Sequence, residues 1–222
     1  MPKKSDWTRE ELERDYVGTM TALTIPVNLR LEGETRILDL SEVEAVLREA
    51  KTIAIADCGC RRRVHKCDAP LDVCIGLDKE AETMLAKEHA RKASLAQARG
   101  ALRRSHQAGL VHVTYTNKGE DRPFVICSCC SCCCHSLSAL IRFGMPGAVT
   151  FSRYVAAHNP CTCTACGACV KRCQFQARRL VEGRLIYDAS KCAGCGLCVT
   201  TCPTHSTKLV PRALGASGAS WH

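Results

Sequence analysis

Two runs of cysteine near the C-terminus have the residue type and the spacing for iron–sulfur chemistry. They consist of Cys163, Cys166, Cys169 and Cys173, and of Cys192, Cys195, Cys198 and Cys202. Three thiolates at this spacing can bind three corners of a cubane 4Fe–4S cluster, while a fourth thiolate comes from further away. Zinc and disulfides are the alternatives, but zinc sites favour two separated Cys-x2-Cys pairs over four cysteines in one run. The runs therefore predict two 4Fe–4S clusters.

Where two such clusters lie close together, the fourth cysteine of each run binds the cluster of the other run. This rule predicts cluster one on Cys163, Cys166, Cys169 and Cys202, and cluster two on Cys192, Cys195, Cys198 and Cys173. Clusters of this kind accept one electron at a time, so two neighbouring clusters indicate electron transfer.

Ten further cysteines lie in the N-terminal two-thirds of the chain. They are Cys58, Cys60, Cys67 and Cys74, followed by Cys127, Cys129, Cys130, Cys132, Cys133 and Cys134. Each group begins at the end of a predicted strand, at 52–56 for the first group and 124–126 for the second. Six unprotected thiols within eight residues would oxidise readily, which argues against free cysteines. We therefore expect one or two further iron–sulfur clusters in this region, with zinc as the alternative.

The spacing leaves several ligand sets open for these ten thiols. They could serve two cubanes with two thiols to spare, or each sequence group could hold its own cluster, one with an iron open to substrate. Adjacent cysteines of a strand point to opposite faces. Cys129 and Cys130 are therefore expected to serve different clusters, unless one of them is no ligand, and the same holds for Cys133 and Cys134. His135 is a further candidate ligand, because His replaces Cys in some clusters.

The charge distribution bears on the partner. The chain has 222 residues and a formal net charge of +9. A 4Fe–4S cluster with four thiolates carries a charge of about −2, so part of the basic excess balances the clusters. Residues 107–222 hold 12 basic and 4 acidic side chains, against 7 and 11 in residues 1–50. We therefore expect a redox partner protein with an acidic docking face, and nucleic acid is not the expected partner. The run Arg61–Arg63 fits either compensation of cluster charge or a solvated loop.

Residues 155–210 resemble the bacterial-type ferredoxin module that holds two 4Fe–4S clusters. Two features depart from that pattern: Gln174 follows Cys173 where the family usually has proline, and Cys161 is an extra thiol two residues before the first run. The N-terminal part looks like a group of cysteine-rich dicluster-ferredoxin proteins. The segments that carry this likeness are 25–28, 58–61, 108–112 and 127–134. The resemblance implies electron transfer without a defined substrate.

The sequence as a whole predicts an α+β protein. Residues 1–147 are expected to form a cysteine-rich domain of mixed helix and strand, residues 148–212 a ferredoxin-like two-cluster domain, and residues 213–222 a flexible tail. The elements expected are a helix at 78–107, continuous or broken at Gly100, strands at 110–116 and 124–126 joined by a turn at 117–120, and a hairpin at 180–187. The charged N-terminus has no apolar signal segment, and no stretch approaches the about 18 apolar residues of a membrane span. A cytoplasmic location is therefore expected.

Three hypotheses for function follow. The first is a multi-cluster electron-transfer protein that passes single electrons between a redox donor and a partner oxidoreductase. The second is an oxidoreductase subunit with a substrate-accessible N-terminal cluster. The third is a redox-sensing, winged-helix-like regulator, in which the turn at 117–120 is the wing. Its basic helix face would consist of Lys87, Arg91, Lys92, Arg99, Arg103 and Arg104. No phosphate-binding glycine pattern or nucleophile–base signature occurs, so a carrier or subunit is favoured over a stand-alone enzyme.

Overall fold

The computed structural model of the chain describes residues 6–25, 38–87, 89–117, 120, 122–145 and 147–212. The middle of the turn expected at 117–120 and the tail expected at 213–222 lie outside these residues. Within the described part, none of the helices has the length and the apolar character that crossing a membrane requires.

A six-stranded sheet of antiparallel pairs forms the centre of the N-terminal half. Its strands are β1 (Met20–Ile25), β2 (Ile53–Asp57), β3 (Asp72–Leu77), β4 (Ala90–Lys92), β5 (Val111–Asn117) and β6 (Val125–Cys129). Their order across the sheet is β1-β5-β6-β3-β2-β4. The strands predicted at 52–56, 110–116 and 124–126 are confirmed as β2, β5 and β6, and the α+β class is confirmed with them.

Six helices accompany this sheet in the described part of the N-terminal half. They are α1 (Arg9–Asp15), α2 (Leu38–Glu49), α3 (Gly59–Val64), α4 (Asp78–Leu85), α5 (Leu95–Gln107) and α6 (His135–Phe143). The helix expected over 78–107 is wrong, both as a continuous helix and as one broken at Gly100, because β4 lies between α4 and α5 and pairs with β2, while Gly100 lies within α5. Ser94 then starts a new helix, since it forms a capping box with Gln97. Helix propensity over this stretch is overridden by backbone pairing at the edge of the sheet.

The two faces of the sheet pack against different elements. One face carries Ile55, Ile75 and Ile126, which are buried with side chains of α2 and α5 such as Leu47 and Leu102. The other face forms the larger cluster of buried residues. Its members include Trp7, Leu12, Val113, Tyr115, Cys129, Leu137, Phe175 and Leu197. Because strand residues alternate between faces, Cys127 and Cys129 of β6 lie on this second face. Both halves of the chain therefore contribute to one core.

The C-terminal half consists of two small antiparallel ladders with short helices after each cysteine loop. Its elements are β7 (Tyr154–His158), α7 (Ala168–Arg172), β8 (Arg178–Val181), β9 (Arg184–Tyr187), α8 (Leu197–Thr200) and β10 (Thr207–Pro211), with a 3₁₀ turn at Ala189–Lys191. Strand β10 pairs with β7, and β8 pairs with β9. The hairpin predicted at 180–187 is therefore confirmed.

Specific hydrogen bonds join the two halves. The hydroxyl of Thr24 donates to the carbonyl of Ala193 at 2.9 Å. The Arg172 guanidinium donates to the carbonyls of His106 at 2.6 Å and Gln107 at 2.7 Å. The position of one half relative to the other is thus set by backbone carbonyls as well as by the shared core. The division at 147/148 stays a prediction.

Gly194 offers a test of this packing. It has a φ of +74°, and a Cβ atom added there would clash with the carbonyl oxygen of Tyr154 on β7. Gly183, in the β8–β9 turn, has the same φ of +74° with no atom within 4 Å of an added Cβ. We expect Gly183→Ala to cost about 1–2 kcal/mol of stability for the left-handed backbone alone. Gly194→Ala adds a steric clash and should cost about 1–3 kcal/mol more.

Thermal unfolding of the two variants under anaerobic conditions, followed by circular dichroism, measures this difference. Equal shifts of Tm in the two variants would contradict the tight approach of Gly194 to β7.

Candidate metal centres

The first cysteine cavity of the C-terminal half combines residues of both runs. Cys163, Cys166, Cys169 and Cys202, which we call the cluster-one set, line one cavity together with Thr204 and Ser206. Cys202 reaches it from the end of α8, so the structure brings together the four residues that the exchange rule predicts. Burial raises the pKa of Cys202, but hydrogen bonds with Ser206 and Thr204 outweigh this and lower it to about 7. The site thus favours a thiolate at this position.

The second cavity shows the reciprocal exchange. The cluster-two set, Cys173, Cys192, Cys195 and Cys198, lines it with apolar neighbours that include Phe175 and Leu209. Burial raises the pKa of Cys195 and raises that of Cys198 to about 12. In the cluster-one set, by contrast, Cys166 is exposed. The two sites therefore differ in their access to solvent, although ligation by either set remains a prediction.

A buried arginine lies beside both cysteine sets. Arg178 is 3 % exposed, and its Nη1 lies 3.8 Å from Cys169 Sγ. Burial lowers its pKa, but the nearby thiols of Cys198 and Cys169 outweigh this and raise it. Its Nη2 is buried without a hydrogen-bond partner among the described residues. Such a cation fits a site that holds negative clusters. The sequence could not single it out, because Arg179 is its neighbour and only the strand alternation of β8 turns Arg178 inward.

The ten N-terminal cysteines are divided by position in the fold and not by sequence group. Six of them surround one cavity: Cys58, Cys60, Cys74, Cys127, Cys129 and Cys134. The other four, Cys67, Cys130, Cys132 and Cys133, have sulfur atoms that all lie within 4.8 Å of one another. We call these the six-thiol ring and the four-thiol group. The adjacent residues Cys129 and Cys130 fall into different sets, and so do Cys133 and Cys134. The two sequence groups are not kept apart, because Cys67 joins three residues of the second group.

The six-thiol ring is closed, since each thiol has a neighbour on either side. The order is Cys58, Cys74, Cys127, Cys129, Cys134, Cys60 and back to Cys58. The Sγ atoms of Cys74 on β3 and Cys127 on β6 lie 3.9 Å apart, because the two strands are paired. The cavity inside has a volume of about 360 Å³. Hydrogen bonds from Cys60 and Cys74 lower the pKa of Cys58, whereas those with Cys134 and Cys58 raise the pKa of Cys60. Neighbouring thiolates repel one another, so the ring can ionise fully only around a cation.

Arg61 supplies positive charge between the two N-terminal sets. Its side chain is 2 % exposed, and Nη1 donates to the carbonyl of Ser128 at 2.9 Å and lies 3.9 Å from Cys130 Sγ. Burial lowers its pKa, but the thiols of Cys58 and Cys130 outweigh this and raise it. Its Nε and Nη2 are buried and have no partner among the described residues. Compensation of charge is therefore the interpretation that fits Arg61, while Arg63 pairs with Glu11 on α1.

His135 lies at the edge of the six-thiol ring. Its Nδ1 is 3.2 Å from Cys60 Sγ, and its ring stacks on Tyr16 with centroids 4.1 Å apart. Burial lowers its pKa, and Nε2 is buried without a partner among the described residues. The ring nitrogen next to Cys60 can accept or donate a proton, or bind metal in its neutral form. The structure thus keeps His135 as a candidate ligand.

Gln174 connects cluster two to the N-terminal half. The Oε1 atom of Gln174 accepts two hydrogen bonds from Ser131, one from its backbone N–H at 3.0 Å and one from its hydroxyl group at 2.7 Å. Its Nε2 donates to the carbonyl of Gly109 at 2.9 Å. Gln174 directly follows Cys173, and Ser131 lies between Cys130 and Cys132. The departure from the ferredoxin pattern therefore coincides with a contact between the two halves.

The structure places the extra thiol of Cys161 outside the cluster-one cavity. Cys161, which lies before the first run, is exposed and does not line that cavity with the cluster-one set.

The continuous basic helix behind the regulator hypothesis is absent from the described residues. Arg91 lies on β4 and Arg104 on α5, and both form ion pairs with Asp72. The hairpin expected as a wing consists of β5 and β6, which lie inside the six-stranded sheet.

The comparison with known families identifies the C-terminal cysteine-rich segment. A family described as the 4Fe-4S dicluster domain matches residues 162–206. This confirms the ferredoxin module that the cysteine spacing predicts, and with it an iron–sulfur electron-transfer role for this part of the chain. No curated protein is significantly similar to the chain. The six-thiol ring and the four-thiol group lie outside the matched residues.

Alanine variants test the exchanged ligands. If the fourth cysteine of each run serves the other cluster, Cys202→Ala should match Cys163→Ala, and Cys173→Ala should match Cys192→Ala. Each variant should lose iron from one site only, between about one and about four irons per chain, because an iron without its thiolate is held less tightly and the whole cubane can follow it. Iron analysis and low-temperature EPR of the reduced proteins identify the cluster that remains.

The matched control is Cys161→Ala, which should keep all iron because this thiol is exposed and outside both sets. A Cys202→Ala spectrum that matches Cys192→Ala instead of Cys163→Ala would exclude the exchange.

Proposed function

We propose, on the premise that residues 162–206 are a 4Fe–4S dicluster domain, that the protein passes single electrons between a redox donor and a partner oxidoreductase. The observation that supports this most directly is the arrangement of two four-cysteine cavities, each lined by three thiols of one run and one of the other. When bound, 4Fe–4S clusters accept and release one electron at a time. The protein's own residues place the two sites side by side and surround them with different environments.

The hairpin β8–β9 offers a docking surface next to the cluster-one set. A Cβ atom on Gly167 would lie 3.0 Å from Leu180 of β8, so the hairpin packs against the loop that carries Cys166. Val181 and Ile186 are large apolar residues that are exposed on the outer face of this hairpin, whereas Leu180 lies on the opposite face, toward the Gly167 loop. Exposed Arg179 and Arg184 flank them. An apolar patch with a basic rim complements a partner with an acidic face and would steer its approach. Electrons would then enter or leave at cluster one.

The enclosed cluster-two set faces inward, toward the N-terminal half. Cys173 leads directly to Gln174, whose amide bonds to Ser131 between two cysteines of the four-thiol group. Cys130 and Cys133 of that group are in turn adjacent in sequence to Cys129 and Cys134 of the six-thiol ring. A packed path of covalent and hydrogen bonds therefore runs from the ferredoxin domain to the N-terminal thiols. This path supports electron transfer between the exposed hairpin β8–β9 and the six-thiol ring.

The six-thiol ring favours a second candidate function, that of an oxidoreductase subunit with a substrate-accessible cluster. A cubane takes at most one thiolate per iron, which is about four in all, so six thiols and His135 exceed what one cubane uses. The cavity volume of about 360 Å³ falls in the range of ligand pockets, which hold about 300–1,000 Å³. Arg61 and Tyr16 also line it. A cluster on this ring would leave polar side chains free to bind and orient a small anionic substrate.

Anaerobic purification followed by redox cycling tests the proposed function. We expect at least about eight irons per chain, which is two cubanes. Dithionite reduction and stepwise re-oxidation should return the original absorbance and EPR spectra over repeated cycles. Loss of the clusters on the first reduction would contradict a carrier role. Cyanide, a small ligand for open iron sites, separates the two functions, because only a substrate-accessible cluster should change its EPR spectrum when cyanide is added.

Removal of the Arg178 charge should lower the reduction potential of the ferredoxin-domain clusters. Reduction adds negative charge, and a buried cation nearby makes that addition more favourable. From Coulomb's law at an effective dielectric constant of about 20, Arg178→Gln should shift the potential by on the order of 50–100 mV to more negative values. EPR-monitored redox titration measures the shift.

Arg179→Gln is the control, because this residue is the exposed neighbour of Arg178 on β8. Solvent screens its charge, so the potential should change far less. Equal shifts in the two variants would show that Arg178 has no special role.

A further inference from the structure

The four-thiol group is far more compact than the other cysteine sets. Cys67 Sγ lies 3.7 Å from Cys130 Sγ and 4.0 Å from Cys133 Sγ, and Cys132 Sγ lies 3.8 Å from Cys133 Sγ. Among the described residues, this is the one group of three or more metal-binding side chains whose ligand atoms all lie within 4.8 Å of one another. The cluster-one set, the cluster-two set and the six-thiol ring do not meet that condition.

This spacing matches a single ion. Four thiolates bound tetrahedrally to one ion at about 2.3 Å have sulfur atoms about 3.8 Å apart. Three of the six separations in the four-thiol group lie within a few tenths of an ångström of that value, and the other three do not exceed 4.8 Å. In a cubane each thiolate binds a different iron, so the four sulfur atoms must lie further apart. The wider cluster-one and cluster-two sets of the same chain illustrate that second arrangement.

We propose that Cys67, Cys130, Cys132 and Cys133 bind one tetrahedral divalent metal ion and not an iron–sulfur cluster. A tetrahedral set of four thiolates suits zinc and also a single iron, which share this chemistry. The site is independent of the electron-transfer proposal, because its ligands lie outside the dicluster domain.

The surroundings of the group fit a closed metal–thiolate site. Backbone N–H groups of Ala69 and Lys66 hydrogen-bond to the sulfurs of Cys67 and Cys133. The indole N–H of Trp7 donates to the carbonyl of Cys133 at 2.8 Å, which holds the turn in place. Four thiolates and one divalent ion carry a net charge of −2, and the Arg61 guanidinium beside Cys130 offsets part of it. Four thiolates would fill the positions of a tetrahedral ion and leave none for a substrate, as in structural zinc sites.

The ion would tie two separate segments together. Cys67 lies on the loop between α3 and β3, whereas the other three ligands lie on the turn that follows β6. That turn begins after Cys129 and ends before Cys134, two members of the six-thiol ring. It also carries Ser131, the partner of Gln174. A single ion here would fix the six-thiol ring and the contact with the ferredoxin domain at once.

Metal analysis of the full-length protein tests the proposal, with Cys132→Ser as the variant and Cys161→Ser as the control. Purified without oxygen, Cys132→Ser should lose one zinc or one iron per chain relative to wild type, while acid-labile sulfide stays unchanged. Cys161→Ser should lose neither. The identity of the lost metal distinguishes zinc from iron. Loss of about four irons together with sulfide, or no loss of metal, would overturn the proposal.

A measurement on the wild-type protein keeps the test decisive if Cys132→Ser does not fold. For zinc, X-ray absorption at the zinc edge should show four sulfur neighbours at about 2.3 Å and no neighbouring metal. For iron, Mössbauer spectroscopy should show a single iron with four sulfur ligands beside the cluster signals. If neither spectrum contains an isolated metal–thiolate centre, the proposal is wrong.

Discussion

Compensation of buried negative charge is the constraint on which the rest of this structure depends. Thiolates that gather around metal bring negative charge into a low-dielectric interior, where an uncompensated charge is very costly. Two arginines meet this requirement, Arg178 beside the ferredoxin-domain sites and Arg61 between the two N-terminal sets. Both keep guanidinium nitrogens without partners among the described residues. In an ordinary core that arrangement would be destabilising, whereas thiolates beside these guanidinium groups would compensate their charge.

Strand geometry determines which thiols meet. Because successive side chains of β6 point to opposite faces, Cys127 and Cys129 join the six-thiol ring. Cys130, the next residue, turns to the four-thiol group. Pairing of β3 with β6 then brings Cys74 beside Cys127. A dense cysteine sequence is thereby resolved into two separate sites without any spacer between them.

Local features and the exchange between the two C-terminal runs follow from the sequence, whereas other contacts between distant segments depend on tertiary packing. The cysteine spacing of the C-terminal runs predicts the composition of both cavities, since three of the four residues of each lie within a few positions. Three short strands were also predictable from apolar patterns bounded by turns. The contact between the thiols of Cys67 and Cys130 was not predictable, because it depends on tertiary packing of α3 against the turn after β6. The break between α4 and α5 depends likewise on pairing of β4 with β2, which overrides a strongly helical composition.

Gln174 shows how a departure from a family pattern can carry structural meaning. Proline at this position would have no N–H and no polar side chain, so it could end the cysteine run but could not contact a neighbour. The glutamine amide both accepts from Ser131 and donates to Gly109, and it follows Cys173 directly. It thereby couples the cluster-two loop to the turn after β6, which carries three residues of the four-thiol group. Glutamine in place of proline therefore gives the cluster-two loop a contact with the N-terminal half that a proline side chain could not make.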